Sequence, residues 1–276
     1  MPILGTSASQ NIKSFLSVPI TVDYLVVAGG GGGGATQAGG AGGAGGLRST
    51  VTATGGNGSL ESALTLQTST SYTVTVGAGG NGGAYSDNPG TKGNNSVFST
   101  ITSTGGGYGA GSGYQAAGGS GGSGGGGNTG SGGGAGGART ASPVQGHNGS
   151  AGSAIYYNPG GGGGGAGSAG GIPTGGNGLS ISITGSSQTF AIGGQGGNFD
   201  AVGSSVSNRP DNTGHGGNGS NRQVSGGNGG SGIVILRYSD ARTITIGAGL
   251  TGTESSASGG YKRATITAGT GNVSWA

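Results

Sequence analysis

The stretch DYLVVAGGGGGG, residues 23–34, passes from an apolar run directly into six consecutive glycines. Residues 24–28 are apolar at consecutive positions, which is typical of a β-strand covered on both faces. The later stretch GIVILRY, residues 232–238, has the same character. We therefore predict two buried strands that border a glycine-rich region.

Glycine dominates the composition. The chain has 80 glycines in 276 residues, with 6% charged and 29% hydrophobic residues. Glycine brings no apolar side chain and loses more backbone entropy on folding than any other residue. We therefore expect no single conventional apolar core. Disordered chains combine low hydrophobicity with high net charge, whereas this chain carries a formal charge of only +3, so the composition favours an ordered glycine region.

Two glycine tracts repeat every three residues: GGAGGAGG at 39–46 and GGSGGSGGGG at 118–127. This period matches the extended polyproline II helix, which has no internal hydrogen bonds. Peptide groups in such segments must pair with neighbouring segments or water. The predicted fold class is mainly β plus polyglycine II helices: a glycine-rich bundle framed by short β-strands, with no α-helical domain. Collagen is disfavoured because the chain has only seven prolines and the repeat breaks constantly.

Shorter β-type runs and polar insertions divide the rest of the chain. SYTVTV at 71–76 and LSISIT at 179–184 alternate strictly, as strands with one solvated face do. We predict a docking segment over 1–19, a glycine-rich polyglycine II and β domain over 20–239, and a small β module over 240–276.

Charge and signal patterns argue against several classes of protein. The basic residues are scattered along the chain, which argues against nucleic-acid binding. The absence of cysteine excludes disulfides and thiolate metal sites. The beginning of the sequence has no secretory signal pattern, and no apolar run approaches the length of a membrane helix, so we expect no signal peptide and no membrane insertion.

Titratable residues do not cluster as an enzyme of ordinary type requires. The closest pairing is Asp211 with His215 in RPDNTGHGG, residues 209–217. Two ligands do not complete any usual metal coordination set, so a polar pair in a loop is the simpler interpretation. We predict no enzymatic activity, no cofactor and no metal.

Three insertions interrupt the glycine pattern, at 85–92, 139–159 and 199–222. They concentrate Tyr, Arg, Asp, Asn and His on loops, where binding residues commonly lie. They can equally be solvated connections, and their tyrosines can equally cover the ends of the glycine region. The candidate receptor contacts are Tyr85, Tyr156, Tyr157, Arg209, Asp211, His215 and Arg222.

Five stretches carry a resemblance to a known family. They are DYLVVAGGGGGG (23–34), SYTVTVGAGGNGG (71–83), GNNSVFSTITSTGGG (93–107), LSISITGSSQTFAIGGQGG (179–197) and GGNGGSGIVILRY (226–238). In this order they resemble the glycine-rich domain recurrent in phage and marine bacterial proteins. The overall glycine-rich sequence pattern is also similar to that of phage tail-fibre adhesins that contain polyglycine II bundles.

This resemblance implies a bacteriophage virion protein, an exposed fibre or adhesin component for host recognition. It would lie on the virion surface after assembly in the host cytoplasm and release by lysis. The expected partners are other copies of the chain, for example in a trimer, other virion proteins, and a host-surface glycan or protein. Two alternatives stay open. One is a purely architectural fibre-shaft or capsid-decoration subunit, and the other is an ice-binding or cell-surface matrix protein.

Overall fold

The computed structural model describes residues 17–35, 37–86, 88–111, 116–130, 132–155 and 158–276. Within these ranges the regular secondary structure is β, apart from a 3-10 turn at Gly55–Asn57. The strands are β1 Pro19–Val27, β2 Leu47–Ser49, β3 Leu64–Gln67, β4 Tyr72–Thr75, β5 Ser96–Phe98, β6 Ile101–Ser103, β7 Leu179–Ile181, β8 Gln188–Phe190, β9 Ile233–Ser239, β10 Ile244–Ile246, β11 Leu250–Glu254 and β12 Tyr261–Trp275.

One antiparallel sheet contains ten of these strands. Its main path runs β2-β1-β9-β12-β4-β5-β6, while β3 pairs with β1, and β10 and β11 pair with β12. Strands β7 and β8 form a separate hairpin. The two ends of the path approach each other, since Arg48 of β2 donates to the Thr102 carbonyl of β6 at 3.4 Å. The Ser103 hydroxyl of β6 also donates to the Val26 carbonyl of the adjacent β1 at 2.8 Å. The sheet is therefore a nearly closed barrel.

Aromatic side chains fill the inside of this barrel. Trp275 is 2% exposed and makes edge contacts with Tyr238 at 5.6 Å and Phe98 at 6.5 Å between ring centroids. The buried Tyr238 hydroxyl donates to the Glu254 carboxylate at 2.6 Å, which satisfies a polar group that would be costly to bury alone. The apolar residues are concentrated in the strands and form two separate clusters, so the chain does have apolar packing although no single core spans it.

Strands β1 and β9 are buried on both faces, as their sequences predict. Tyr24 and Val26 point into the barrel, whereas Leu25 and Val27 belong to a second apolar cluster on the other side. The β7–β8 hairpin contributes Ile181 and other side chains to that second cluster. The consecutive apolar residues of DYLVVA thus pack alternately into the barrel interior and into the second apolar cluster.

Residues 28–35 continue directly from β1 and form the centre of what we call the glycine lattice. Their consecutive N–H groups donate in turn to three segments, 39–46, 88–94 and 226–230, at 2.9 to 3.0 Å. Their carbonyls accept from three others, 77–83, 105–110 and 215–220. Residues three apart bond the same neighbour, so one extended segment is hydrogen-bonded to six others.

The strands and the lattice segments are continuous in sequence. Strand β4 leads into 77–83, β6 leads into 105–110, and 226–232 leads into β9. The sheet therefore fixes where the lattice segments start. Segments without a preceding strand, such as 160–166, join the lattice through segment 39–46, where the Gly161 carbonyl accepts from the Ala41 N–H at 3.0 Å.

Glycine is required at the centre of the lattice by contact distance. A Cβ added to any of residues 29–34 would lie 1.9 to 2.1 Å from a backbone carbonyl oxygen of a neighbouring segment. These are separations that no side chain tolerates, so neighbouring backbones occupy the space that a methyl group would need.

The predicted fold class is wrong. The regular structure is a nearly closed antiparallel sheet, and no helical bundle framed by short strands is present in the described residues. The physical reason is that the 15-residue β12 lies between β9 and β4 and joins strands from distant parts of the chain into one sheet. The narrower expectation that the peptide groups of the glycine tracts pair with neighbouring segments is confirmed by their backbone bonds.

The division into three domains stays a prediction. Most of the docking segment 1–19 lies outside the described residues. Strands β10 to β12 of the predicted C-terminal module share the ten-stranded sheet with β1 and β9, and Arg263 also donates to the Ile183 carbonyl at 2.8 Å.

Candidate binding surface

Four segments form an outer side of the glycine lattice: 88–94, 77–83, 225–231 and 207–212. They are joined in this order by backbone bonds from Thr91 to Asn81, from Gly229 to Gly80, and from Arg209 to Asn228. Each presents a polar side chain to solvent. We call the exposed residues Asn81, Thr91, Asn208, Ser225 and Asn228 the asparagine face.

Side-chain oxygens on this face accept from backbone groups of the adjacent segment. Asn228 Oδ1 accepts from the Gly82 N–H at 2.7 Å, and Asn208 Oδ1 accepts from the Asn228 N–H at 3.0 Å. Thr91 Oγ1 likewise accepts from the Asn81 N–H at 2.7 Å. Backbone donors at the lattice edge need a partner, and these side chains supply the acceptor that a further segment would have supplied. The face is therefore held in position by its own hydrogen bonds.

Two of the three predicted insertions meet at this face. Tyr85 is 53% exposed, and its N–H donates to Ser225 Oγ at 3.0 Å. Residues 207–212 of the third insertion lie on the other side of the same segment, where the Asp211 carboxylate accepts from the Ser231 N–H at 3.2 Å. Tyr156 and Tyr157 of the second insertion lie outside the described residues, and Arg222 stacks over Phe199 at 4.8 Å.

Asp211 and His215 do not form the pair that the sequence suggests. His215 Nδ1 accepts from the Ile192 N–H at 3.1 Å, so the neutral ring carries its proton on Nε2. Burial, helped by the nearby Arg209 guanidinium, lowers the pKa of His215 to about 4. The imidazole is therefore neutral at physiological pH and anchors a lattice segment to its neighbour.

No group of three or more His, Asp or Glu residues that could hold a metal ion occurs in the described part of the chain. The same ranges contain no helix long and apolar enough to span a membrane.

The family model for the glycine-rich domain matches residues 7–239. The chain belongs to the glycine-rich domain family. In this glycine-rich domain the matched range contains β1 to β9 and the lattice segments described above. No curated protein matches the sequence.

Sequence reasoning missed the residues that line the lattice edge next to Arg209. Gln195 and Asn218 interrupt glycine tracts at single positions, and the Gln195 N–H donates to Asn218 Oδ1 at 2.9 Å. The signal that could have found them is the spacing in GGQGGN (193–198) and GGNGSN (216–221), where a polar residue occurs every third position.

Proposed function

We propose that this protein is a structural component of a bacteriophage particle, an exposed fibre or adhesin subunit that takes part in host recognition. The single observation that carries the proposal is the asparagine face. Insertions from two distant parts of the chain meet on it, and hydrogen bonds to the lattice hold its side chains. Binding residues placed on loops of a rigid scaffold are the usual arrangement of a recognition protein.

The glycine lattice supports the same role. Its peptide groups are paired with neighbouring segments, so few of them are left for an unfolding or cleaving agent to reach. A scaffold of this kind keeps its exposed surface unchanged when the protein meets unfolding or cleaving agents outside a cell. We further propose that the protein acts as a homo-oligomer, since closed symmetric assemblies are the common state of structural subunits.

The test has two parts. Antibodies against the protein should label purified particles at a fibre, and the recombinant protein should bind host cells. The triple variant Asn81→Ala, Thr91→Ala, Asn228→Ala should reduce cell binding, whereas Ser180→Ala and Thr189→Ala on the β7–β8 hairpin should not. Labelling of particles without any cell binding would favour an architectural shaft or decoration subunit, and absence from particles would overturn the proposal.

A second candidate, ice binding, is favoured by the regularity of the same face. Small polar side chains lie on adjacent, hydrogen-bonded segments, for example Asn81 beside Thr91 and Asn208 beside Asn228. An extended segment with three residues per turn repeats at about 9 Å, which sets the spacing of equivalent positions along each segment. Thermal hysteresis of a solution of the protein would support this candidate, and ordinary freezing would remove it.

A further inference from the structure

Arg209 is a half-buried cation next to a small pocket. Its side chain makes one hydrogen bond in the described part of the structure, a long one from Nη2 to the Gly193 carbonyl at 3.5 Å. Its Nε is buried and has no partner. The ion pairs of the described residues involve Arg48, Arg237 and Lys262 and leave Arg209 without a carboxylate.

The positive charge of Arg209 therefore lacks a compensating negative charge. Taking a guanidinium out of water costs free energy unless an opposite charge or several acceptors compensate. Burial lowers the pKa of Arg209 below its ordinary value, which is the direction expected for a cation without a counter-charge. His215 beside it is neutral, and the Asp211 carboxylate accepts from Ser231 and lines a different cleft.

The pocket beside Arg209 is small. It has a volume of about 180 Å³ and is lined by Thr174, Gly175, Ile192, Gly193, Gln195, Arg209 and Asn218. This is below the roughly 300 Å³ at which pockets for drug-sized ligands begin. It suits a single charged group rather than a whole cofactor.

A second groove lies next to this pocket. It shares Gln195 and Asn218 with the pocket, has a volume of about 250 Å³, and adds the hydroxyls and amides of Ser205, Ser207 and Asn221. Hydroxyl and amide side chains hydrogen-bond to hydroxylated ligands as both donors and acceptors. A ligand with one anionic group followed by hydroxyls matches the order of chemistry along the two cavities.

We propose that this pocket and the adjacent groove together bind an acidic glycan, with a sugar carboxylate at Arg209 and neighbouring sugar hydroxyls along Gln195, Asn218 and Ser205. Arginine is suited to this contact because its planar guanidinium can donate two parallel hydrogen bonds to one carboxylate. The inference depends on the pocket alone and stands whether or not the protein belongs to a phage particle.

The test titrates the full chain with a galacturonic acid trisaccharide and follows heat of binding and the NMR signal of the Arg209 Nε–H. Maltotriose is the neutral control, and inorganic phosphate is the control for a simple anion. We expect the uronate to bind and to shift the Arg209 signal, maltotriose not to bind, and phosphate to bind at least tenfold more weakly.

Matched variants assign the binding to this site. Arg209→Gln should weaken uronate binding at least tenfold. Arg139→Gln should leave it unchanged, although Arg139 also donates to a glycine carbonyl, that of Gly146 at 3.4 Å. Gln195→Glu changes an exposed side chain and keeps the fold even if Arg209→Gln does not. It places a carboxylate at the pocket and should also weaken binding at least tenfold.

Three outcomes would overturn the proposal. The first is no uronate binding by the unaltered protein. The second is equal binding by the unaltered protein and the Gln195→Glu variant. The third is phosphate binding as tight as that of the trisaccharide, which would indicate an anion site without recognition of a sugar.

Discussion

In the barrel, Trp275 contacts the rings of Tyr72, Phe98 and Tyr238, and side chains fill the interior. In the lattice, residues 29–34 have no side chains at all, and each of their N–H groups donates to a neighbouring segment. The barrel is stabilised by buried apolar area, the lattice by paired peptide groups. Opposite kinds of substitution should therefore destabilise the two regions: removal of side-chain atoms should destabilise the barrel, and addition of side-chain atoms should destabilise the lattice.

The largest effect is expected for Gly33→Ala. The new Cβ would lie 1.9 Å from the Asn218 carbonyl oxygen. The backbone of the central segment or of the neighbouring segment would have to move. We expect a loss above about 5 kcal/mol, beyond the usual range of single substitutions and near the whole stability of a marginal domain. Denaturant unfolding or failure of soluble expression measures it. Gly171→Ala is the control, since its nearest contact would be an ordinary 3.5 Å; an equal loss there would contradict the comparison.

The next effect is expected for Phe98→Ala, which removes atoms from the barrel. Phe98 is fully buried, and truncation of a buried phenylalanine costs about 3 to 5 kcal/mol through lost transfer energy and the cavity left behind. Urea unfolding would measure the change. Leu60→Ala, at a residue that is 51% exposed, should stay within about 0.5 kcal/mol. A Phe98→Ala protein as stable as the original would show that the barrel interior contributes little.

A smaller loss of stability is expected when the pH is lowered, because His215 at the edge of the lattice is then protonated on unfolding. His215 has a folded pKa of about 4, below the ordinary 6.5, so the unfolded chain takes up a proton before the folded one does. Its contribution to stability is therefore complete above pH 6.5 and is lost as the pH falls from there to about 4.

Thermal unfolding between pH 7 and 4 measures this loss. The His215→Asn variant, whose side-chain oxygen can still accept from the Ile192 N–H, should lose less stability over the same range because it has no imidazole to protonate. Identical pH profiles for the two proteins would show that His215 titrates normally in the folded state.

The smallest effect is expected for Asn228→Ala on the asparagine face. It removes the acceptor of the Gly82 N–H, but that group lies near solvent and can bond to water, so the loss should be about 1 kcal/mol. Hydrogen exchange of the Gly82 amide is a direct measurement and should accelerate. Gln195→Ala, which removes an exposed side chain, is the matched control and should leave that amide unchanged.

Local sequence predicted the strands better than it predicted their assembly. The consecutive apolar residues of β1 and β9 indicate burial on both faces, and the alternation in LSISIT indicates one wet face, because these patterns depend on the strand itself. Nothing local in GGYKRATITAGTGNVSW (259–275) shows that its strand pairs with both β9 and β4. That pairing is decided by distant partners and not by the segment.

The candidate site was predictable in outline only. The insertions with Tyr85 and Arg209 could be found because they break the glycine pattern. The pocket lined by Thr174, Gln195 and Asn218 could not be found from the sequence. These residues come from three different segments, and backbone bonds across the lattice bring them together. The cation without a counter-charge is likewise visible only once distances are known.

The three-residue alternation of hydrogen-bond partners has a consequence for how such chains can vary in length. Within residues 28–35, loss of one residue would turn every later N–H group toward the wrong neighbour, much as a single-base deletion shifts a reading frame. Loss or gain of three residues would keep each group facing its partner. Related chains should therefore differ by whole triplets inside lattice segments, while connections that make no lattice hydrogen bonds are free to change by any number of residues.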